Sequence, residues 1–236
     1  MKTNLNFLRT KLVLTLITLT SISIVSCKDD DDDAMPLPVT NYSTLMVTHA
    51  SPDAPGVDLL VDNVKLNTTA LNFPSSTPYI PLVSGTRNIK INVGGTSTTV
   101  INATLPFAAN KSYSVFAIDE VSNIAPLVIE DNLSAPAAGK AHIRFVHLSP
   151  DAPAVDIAVD GGAVVFADYN FTEYSSFTPL DAGTYDLEVR VAGTSTVALD
   201  LDPITLSAGK IYTVFARGFL SGSGAQALGA QIIVNK

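Results

Sequence analysis

The sequence contains no tryptophan, a single cysteine (Cys27) and three histidines in 236 residues. One thiol excludes an intramolecular disulfide and any zinc cluster built on cysteine. Without indole, a sugar ring loses the broadest platform it could stack on, although 7 Tyr and 10 Phe remain. Charge is scarce at 15%, and it is unbalanced: 22 acidic residues against 14 Lys and Arg give a net −8. Phosphate backbones are bound by clustered Lys and Arg, so nucleic acid is excluded as a partner, and a polybasic membrane-surface mode is disfavoured. Catalytic signatures are missing too. No G-x-S-x-G elbow or H-E-x-x-H helix occurs, and the Gly94-Gly95-Thr96-Ser97 and Gly193-Thr194-Ser195 stretches lack the lysine and following helix of a phosphate cradle. What is present in quantity is apolar side chain, 47% of the chain, with 14 Gly and 14 Pro spread along it. That is enough to fill substantial cores.

The first 26 residues read as an address. Lys2, Arg9 and Lys11 precede an apolar stretch from Leu12 to Val25, too short for a membrane span and flanked like a secretory signal. Ile24-Val25-Ser26-Cys27 resembles the lipobox of bacterial lipoproteins. The resemblance implies cleavage after Ser26 and acylation of Cys27, making the lipid bilayer the first expected partner. Several acyl chains together hold where one binds only marginally, at about 0.8 kcal/mol per buried methylene. Lys28 is followed by Asp29 to Asp33, a self-repelling run that extends the chain. It serves as a tether. It also resembles the export signal of surface-exposed lipoproteins in some diderm bacteria, so the expected location is the cell envelope, outer membrane, surface-exposed. Pro36 and Pro38 stiffen the tether, which is assigned to residues 27–42.

The rest of the chain is one unit written twice. His49-Ala-Ser-Pro-Asp-Ala-Pro-Gly-Val-Asp-Leu-Leu-Val-Asp62 returns as His147-Leu-Ser-Pro-Asp-Ala-Pro-Ala-Val-Asp-Ile-Ala-Val-Asp160. The offset of 98 also pairs Phe73 with Phe171 and Gly95 with Gly193; beyond that it becomes 99, pairing Lys111 with Lys210, Tyr113 with Tyr212 and Phe116 with Phe215. A one-residue insertion in the intervening loop accounts for the change. The expected domains are repeat 1 over residues 43–133, a small-residue linker over 134–140 and repeat 2 over 141–236. A unit of about 95 residues is large enough to fold alone.

Each unit reads as strands. From Thr184 to Val191, Tyr185, Leu187, Val189 and Val191 take one face and Asp186, Glu188 and Arg190 the other. Ile89, Ile91 and Val93 do the same in repeat 1, as do Val57, Leu59 and Val61 against Asp58, Leu60 and Asp62. Asp160-Gly161-Gly162 is a hairpin turn signal. About seven short strands per unit, without a helical period, predict an all-β chain of two tandem immunoglobulin-like antiparallel β-sandwiches.

The repeated H-x-S-P-D-A-P-x-V-D-x-x-V-D stretch, with the A-G-K-x-Y-T-V-F-A run from Ala208 to Ala216, resembles the bacterial domain of unknown function 4397 in two copies. The resemblance implies extracellular, β-rich, often anchored proteins and brings no settled activity. Physically, Pro52 and Pro150 force Ser51 and Ser149 into extended geometry and end a ladder, while the serines and Asp53 and Asp151 suit side-chain-bonded turns. The signature is thus expected to be a rigid corner, with His49 and His147 as strand-end residues bonded to it. The alternative treats His49, Asp53 and Asp58, with His147, Asp151 and Asp156, as polar sites for a metal such as calcium. The expected function is a non-catalytic, lipid-anchored surface protein using its sandwiches for adhesion, scaffolding or capture of a protein or glycan. No cofactor is expected. The alternative is an extracellular polymer hydrolase or its accessory subunit, with a metal at the corner.

Overall fold

The computed structural model describes residues 41–236. The signal segment, Cys27 and nearly all of the tether lie outside the described residues. Repeat 1 supplies β1 (Tyr42–His49), β2 (Val57–Val61), β3 (Val64–Lys65), β4 (Ile80–Val83), β5 (Gly85–Val93), β6 (Thr99–Phe107), β7 (Ser112–Ile118) and β8 (Ala125–Asp131). They form two facing sheets, ordered β4-β1-β7-β8 and β3-β2-β5-β6. Repeat 2 supplies β9 (Lys140–His147), β10 (Val155–Val159), β11 (Val164–Tyr169), β12 (Thr178–Asp181), β13 (Gly183–Tyr185), β14 (Leu187–Val191), β15 (Val197–Asp200), β16 (Ile204–Leu206), β17 (Ile211–Arg217) and β18 (Gly229–Val234). Its sheets are β12-β9-β17-β18 and β11-β10-β14-β15, with β13-β16 as a short extension. Among the described residues the one helical turn is a 3-10 turn at Gly224–Gln226. The chain is all-β, as its alternating faces predicted.

Each sandwich fills its interior with the residues that period-2 alternation assigned. Val57, Leu59, Val61, Ile89 and Ile91 join Leu45, Val47, Phe107 and Val115 in one core. Val155, Ile157, Leu187 and Val189 join Ile143, Phe145, Phe166 and Val214 in the other. Three features depart from the sequence reading. First, the sheets are not wholly antiparallel: β1 runs parallel to β7, and β9 parallel to β17. The prolines of the corner end β1 and β9 without a hairpin, so each lies beside a strand that arrives much later in the chain. Second, the strand read as continuous from Thr184 to Val191 is interrupted at Asp186, opposite the inserted residue, which sits in the strandless stretch between β15 and β16. Glu188 pairs with Asp200 and Tyr185 with Ile204, so one extra residue is absorbed around Asp202-Pro203. Proline has no N–H for the ladder, and the long β5 and β6 of repeat 1 become the broken β13/β14 and β15/β16. Third, Glu188 does not face solvent. It is buried beneath Arg190, whose guanidinium it contacts.

The two sandwiches also share a third core. Met46, Ala50, Phe116, Ile118 and Ile129 of repeat 1 pack against Val146, Leu148, Phe215 and Ile233 of repeat 2. Phe116 and Phe215, equivalent in the two repeats, meet edge to face with centroids 6.0 Å apart. The β1/β7 and β9/β17 sheets are therefore covered on both faces, one by their own sandwich and one by the other repeat. Strands buried this way read as continuous apolar runs, which Val115-Phe116-Ala117-Ile118 is.

Candidate functional site

The signature occupies one end of each sandwich, where three loops converge: the corner itself, the β5–β6 or β14–β15 hairpin, and the loop after β7 or β17. His49 closes β1, and its Nε2 lies 3.0 Å from the Pro55 carbonyl; His147 closes β9 with Nε2 3.1 Å from the Pro153 carbonyl. A carbonyl only accepts, so Nε2 carries the proton and donates in both copies. Both rings are fully buried, and neither Nδ1 has a partner. Burial pushes both imidazoles below their ordinary range, against a smaller opposing effect of the proline carbonyls. Each ring therefore holds a neutral state in which one nitrogen anchors the corner.

The remaining signature residues tie loops together. Asp53 Oδ1 accepts from the Val121 N–H at 2.8 Å, and Asp151 Oδ1 from the Leu220 N–H at 2.7 Å. Asp58 Oδ2 accepts from the Gly95 N–H at 2.9 Å and pairs with Lys65 Nζ at 2.8 Å. The Lys65 ammonium, and then the Gly95 N–H, hold the Asp58 carboxyl below the usual carboxylate range. Asp156 accepts from Gly193 N–H at 2.9 Å and from Asp168 N–H at 2.7 Å. Ser149 donates to the Gly218 carbonyl at 2.6 Å, whereas the equally buried Ser51 has no partner for its Oγ. Pro52 and Pro150 sit in the turns that follow. At the hairpin, the Gly94 N–H meets the Gly56 carbonyl at 2.7 Å, an approach so close that a Cβ on Gly94 would lie 2.8 Å from that oxygen.

The geometry bears directly on metal binding. Asp53 and Asp58 turn to different loops, and among the described residues no three His, Cys, Asp or Glu side chains gather to hold a cation. His142, three strand positions inside β9, is separate from the corner. Sequence reasoning missed the seam between the repeats. There Arg144, Asp131, Ser114, Thr213 and Asn235, all buried, form one network with the half-buried Tyr79. Its one sequence signal is that Arg144 stands where repeat 1 has Met46, a charge within an otherwise apolar strand.

A search of the curated proteins finds no significant match. Among solved structures, the family 26 carbohydrate-binding module CBMbc of Eubacterium rectale Amy13K, in complex with maltoheptaose, aligns over 80% of this chain and 96% of that one. Its identity is 9% and its TM-score 0.28, a likeness too loose to carry an argument. The profile of the Domain of unknown function (DUF4397), in contrast, matches residues 43–158 and again 149–236. With the signature corner recurring at His49 and His147 and the profile spanning both repeats, the chain belongs to the DUF4397 family.

Proposed function

We propose that this chain is a non-catalytic cell-envelope protein whose fused β-sandwiches are presented on a lipid anchor to capture a ligand. The observation that carries the reading is the use made of the signature. His49, Asp53 and Asp58, with their counterparts His147, Asp151 and Asp156, each bond a backbone group of the surrounding loops, and Asp58 also pairs with Lys65. A general base must reach a substrate proton and a nucleophile must reach a base; here the candidate groups brace a scaffold. The lipobox at Cys27 and the acidic run after it supply the anchor and the spacer.

Two measurements test this. Cys27→Ser in the producing cells should move the protein from the membrane fraction to the soluble fraction, and protease added to intact cells should degrade the wild type. Retention of the Cys27→Ser protein in the membrane, or full protection from protease, refutes anchored surface display. Turnover of an extracellular polymer that disappears in His147→Gln would instead identify the hydrolase.

A further inference from the structure

The two repeats differ at one place in a way their shared fold does not require. Beside the repeat 2 corner lies a cavity of about 120 Å³. His147, Val155, Val189 and Ala216 form its buried floor, and Ala198, Leu220 and Leu228 stand at its rim. His147 is the only lining side chain that carries a polar atom.

Strand register identifies the matching residues in repeat 1. Ile91 corresponds to Val189, because Leu59 pairs with Ile91 and Ile157 with Val189. Val100 corresponds to Ala198, the bulged residue between two pairs in each hairpin. Ala125 corresponds to Gly229, since they begin β8 and β18 opposite Ile118 and Arg217. At these three positions repeat 2 is thus short of four side-chain carbons, of which Leu220, standing where repeat 1 has Val121, returns one at the rim. In repeat 1, Val100 and Ile124 pack against the core at this spot.

The rim differs as well. The loop from β7 to β8 spans Asp119–Ile124, whereas that from β17 to β18 spans the longer Gly218–Leu228. The longer loop folds on itself: the Phe219 N–H reaches the Gln226 carbonyl at 2.8 Å. Gly218 permits this, since its φ is +82° and a Cβ there would lie 2.2 Å from the Ala227 carbonyl oxygen. The loop places Leu228 in the wall and leaves Leu220 half exposed at the mouth, and the signature residue Asp151 fixes Leu220 by its N–H. Missing carbons alone would be a packing fault. Missing carbons under a longer, internally bonded loop held in register by the signature describe a built pocket.

We propose that this pocket binds a compact aliphatic ligand, or the aliphatic end of a larger one, of roughly four to six carbons, the size its volume admits. The inference deepens the ligand-capture reading and rests on it for biological purpose only. The test is a titration of the mature protein with straight-chain alcohols from ethanol to octanol, read by NMR of the Val189 and Leu199 methyls. Saturable shifts should tighten roughly fourfold per methylene and then stop tightening once the chain outgrows the pocket. Ala198→Val, the residue repeat 1 carries, should weaken the best alcohol at least tenfold, and Val189→Ile should shorten the optimum from the floor side. No saturable shift, an unbroken rise to octanol as surface partitioning would give, or wild-type binding in both filled variants overturns the proposal. Such a result leaves the Cys27 localisation test standing, so the two readings fail separately.

Discussion

Arg144 of repeat 2 lies with its Nη1 2.7 Å from Oδ1 of Asp131 in repeat 1, and both side chains are almost completely buried. The pair is closed on every side. Arg144 Nε donates to Thr213 and Nη2 to Ser114, Ser114 and Tyr79 donate to Asp131 Oδ2, and Asn235 bridges Thr213 to Tyr79. The Phe177 ring lies 4.5 Å from the guanidinium carbon. Desolvation, with the Asp131 carboxylate adding to it, pushes the Tyr79 phenol well above its ordinary value. A buried ion pair gains little over a hydrophobic pair of the same shape, but half of one is expensive.

Breaking the pair from one side should therefore be costly. Arg144→Met, which installs the repeat 1 residue, leaves Asp131 uncompensated and should lower stability by about 3–5 kcal/mol. Adding Asp131→Asn to it should recover most of that loss. Urea unfolding of the two variants and the wild type measures the difference. Equal stability of the single and double variants would show that the charge is not the governing factor.

The rings of Phe116 and Phe215 should be energetically coupled. Each alanine replacement should cost about 3–5 kcal/mol, and the double variant should lose measurably less than the sum, because the second removal enlarges a gap already made. A double-mutant cycle in urea reads the coupling. The seam further implies that the wild type melts in one transition; two resolved calorimetric transitions would mean that the repeats unfold independently.

His49 and His147 give the protein a defined acid sensitivity. Both folded-state values lie below the unfolded value of about 6.5. The unfolded chain thus binds more protons below that pH, and stability rises with pH through this window. The contribution is complete above about pH 6.5 and declines as the pH falls toward the folded-state values. His49→Gln with His147→Gln keeps a donor for each proline carbonyl and should flatten the slope between pH 7 and pH 5. An unchanged slope in that variant would move the effect to other groups.

Ser51 and Ser149 should respond differently to the same change. Ser149→Ala deletes a buried hydrogen bond to the Gly218 carbonyl and should cost about 1 kcal/mol or more. Ser51→Ala removes a buried hydroxyl that bonds to nothing and should be neutral or stabilising. Parallel melting curves decide this; equal losses would contradict the asymmetry.

Much of this was legible in the chain. Alternation over Val57–Val61 and at Ile89 and Ile91 placed the right residues inside, because a strand at the boundary of core and solvent records its two faces in its letters; at the strand end the pattern fails, with Asn92 buried and Val93 half-buried. The signature prolines marked corners, since a residue without an N–H cannot continue a ladder. The third core was harder to read. Phe116 and Phe215 alternate with residues that also face inward, so a strand covered twice shows no polar side to identify what covers it. Arg144 is buried against Asp131, a partner distant in the chain, and Glu188, assigned to the outer face by alternation, is buried beneath Arg190 of its own strand.

By itself the sequence determined the strands, the duplication and the corner, all of which depend on local rules of backbone, turn chemistry and period. Only the tertiary structure decided that the repeats share a core, that Arg144 finds Asp131, and that the missing carbons coincide beneath the Gly218–Leu228 loop. Those outcomes depend on which distant surfaces come into contact, and the free energy of contact is a property of pairs of positions that no single stretch of sequence contains.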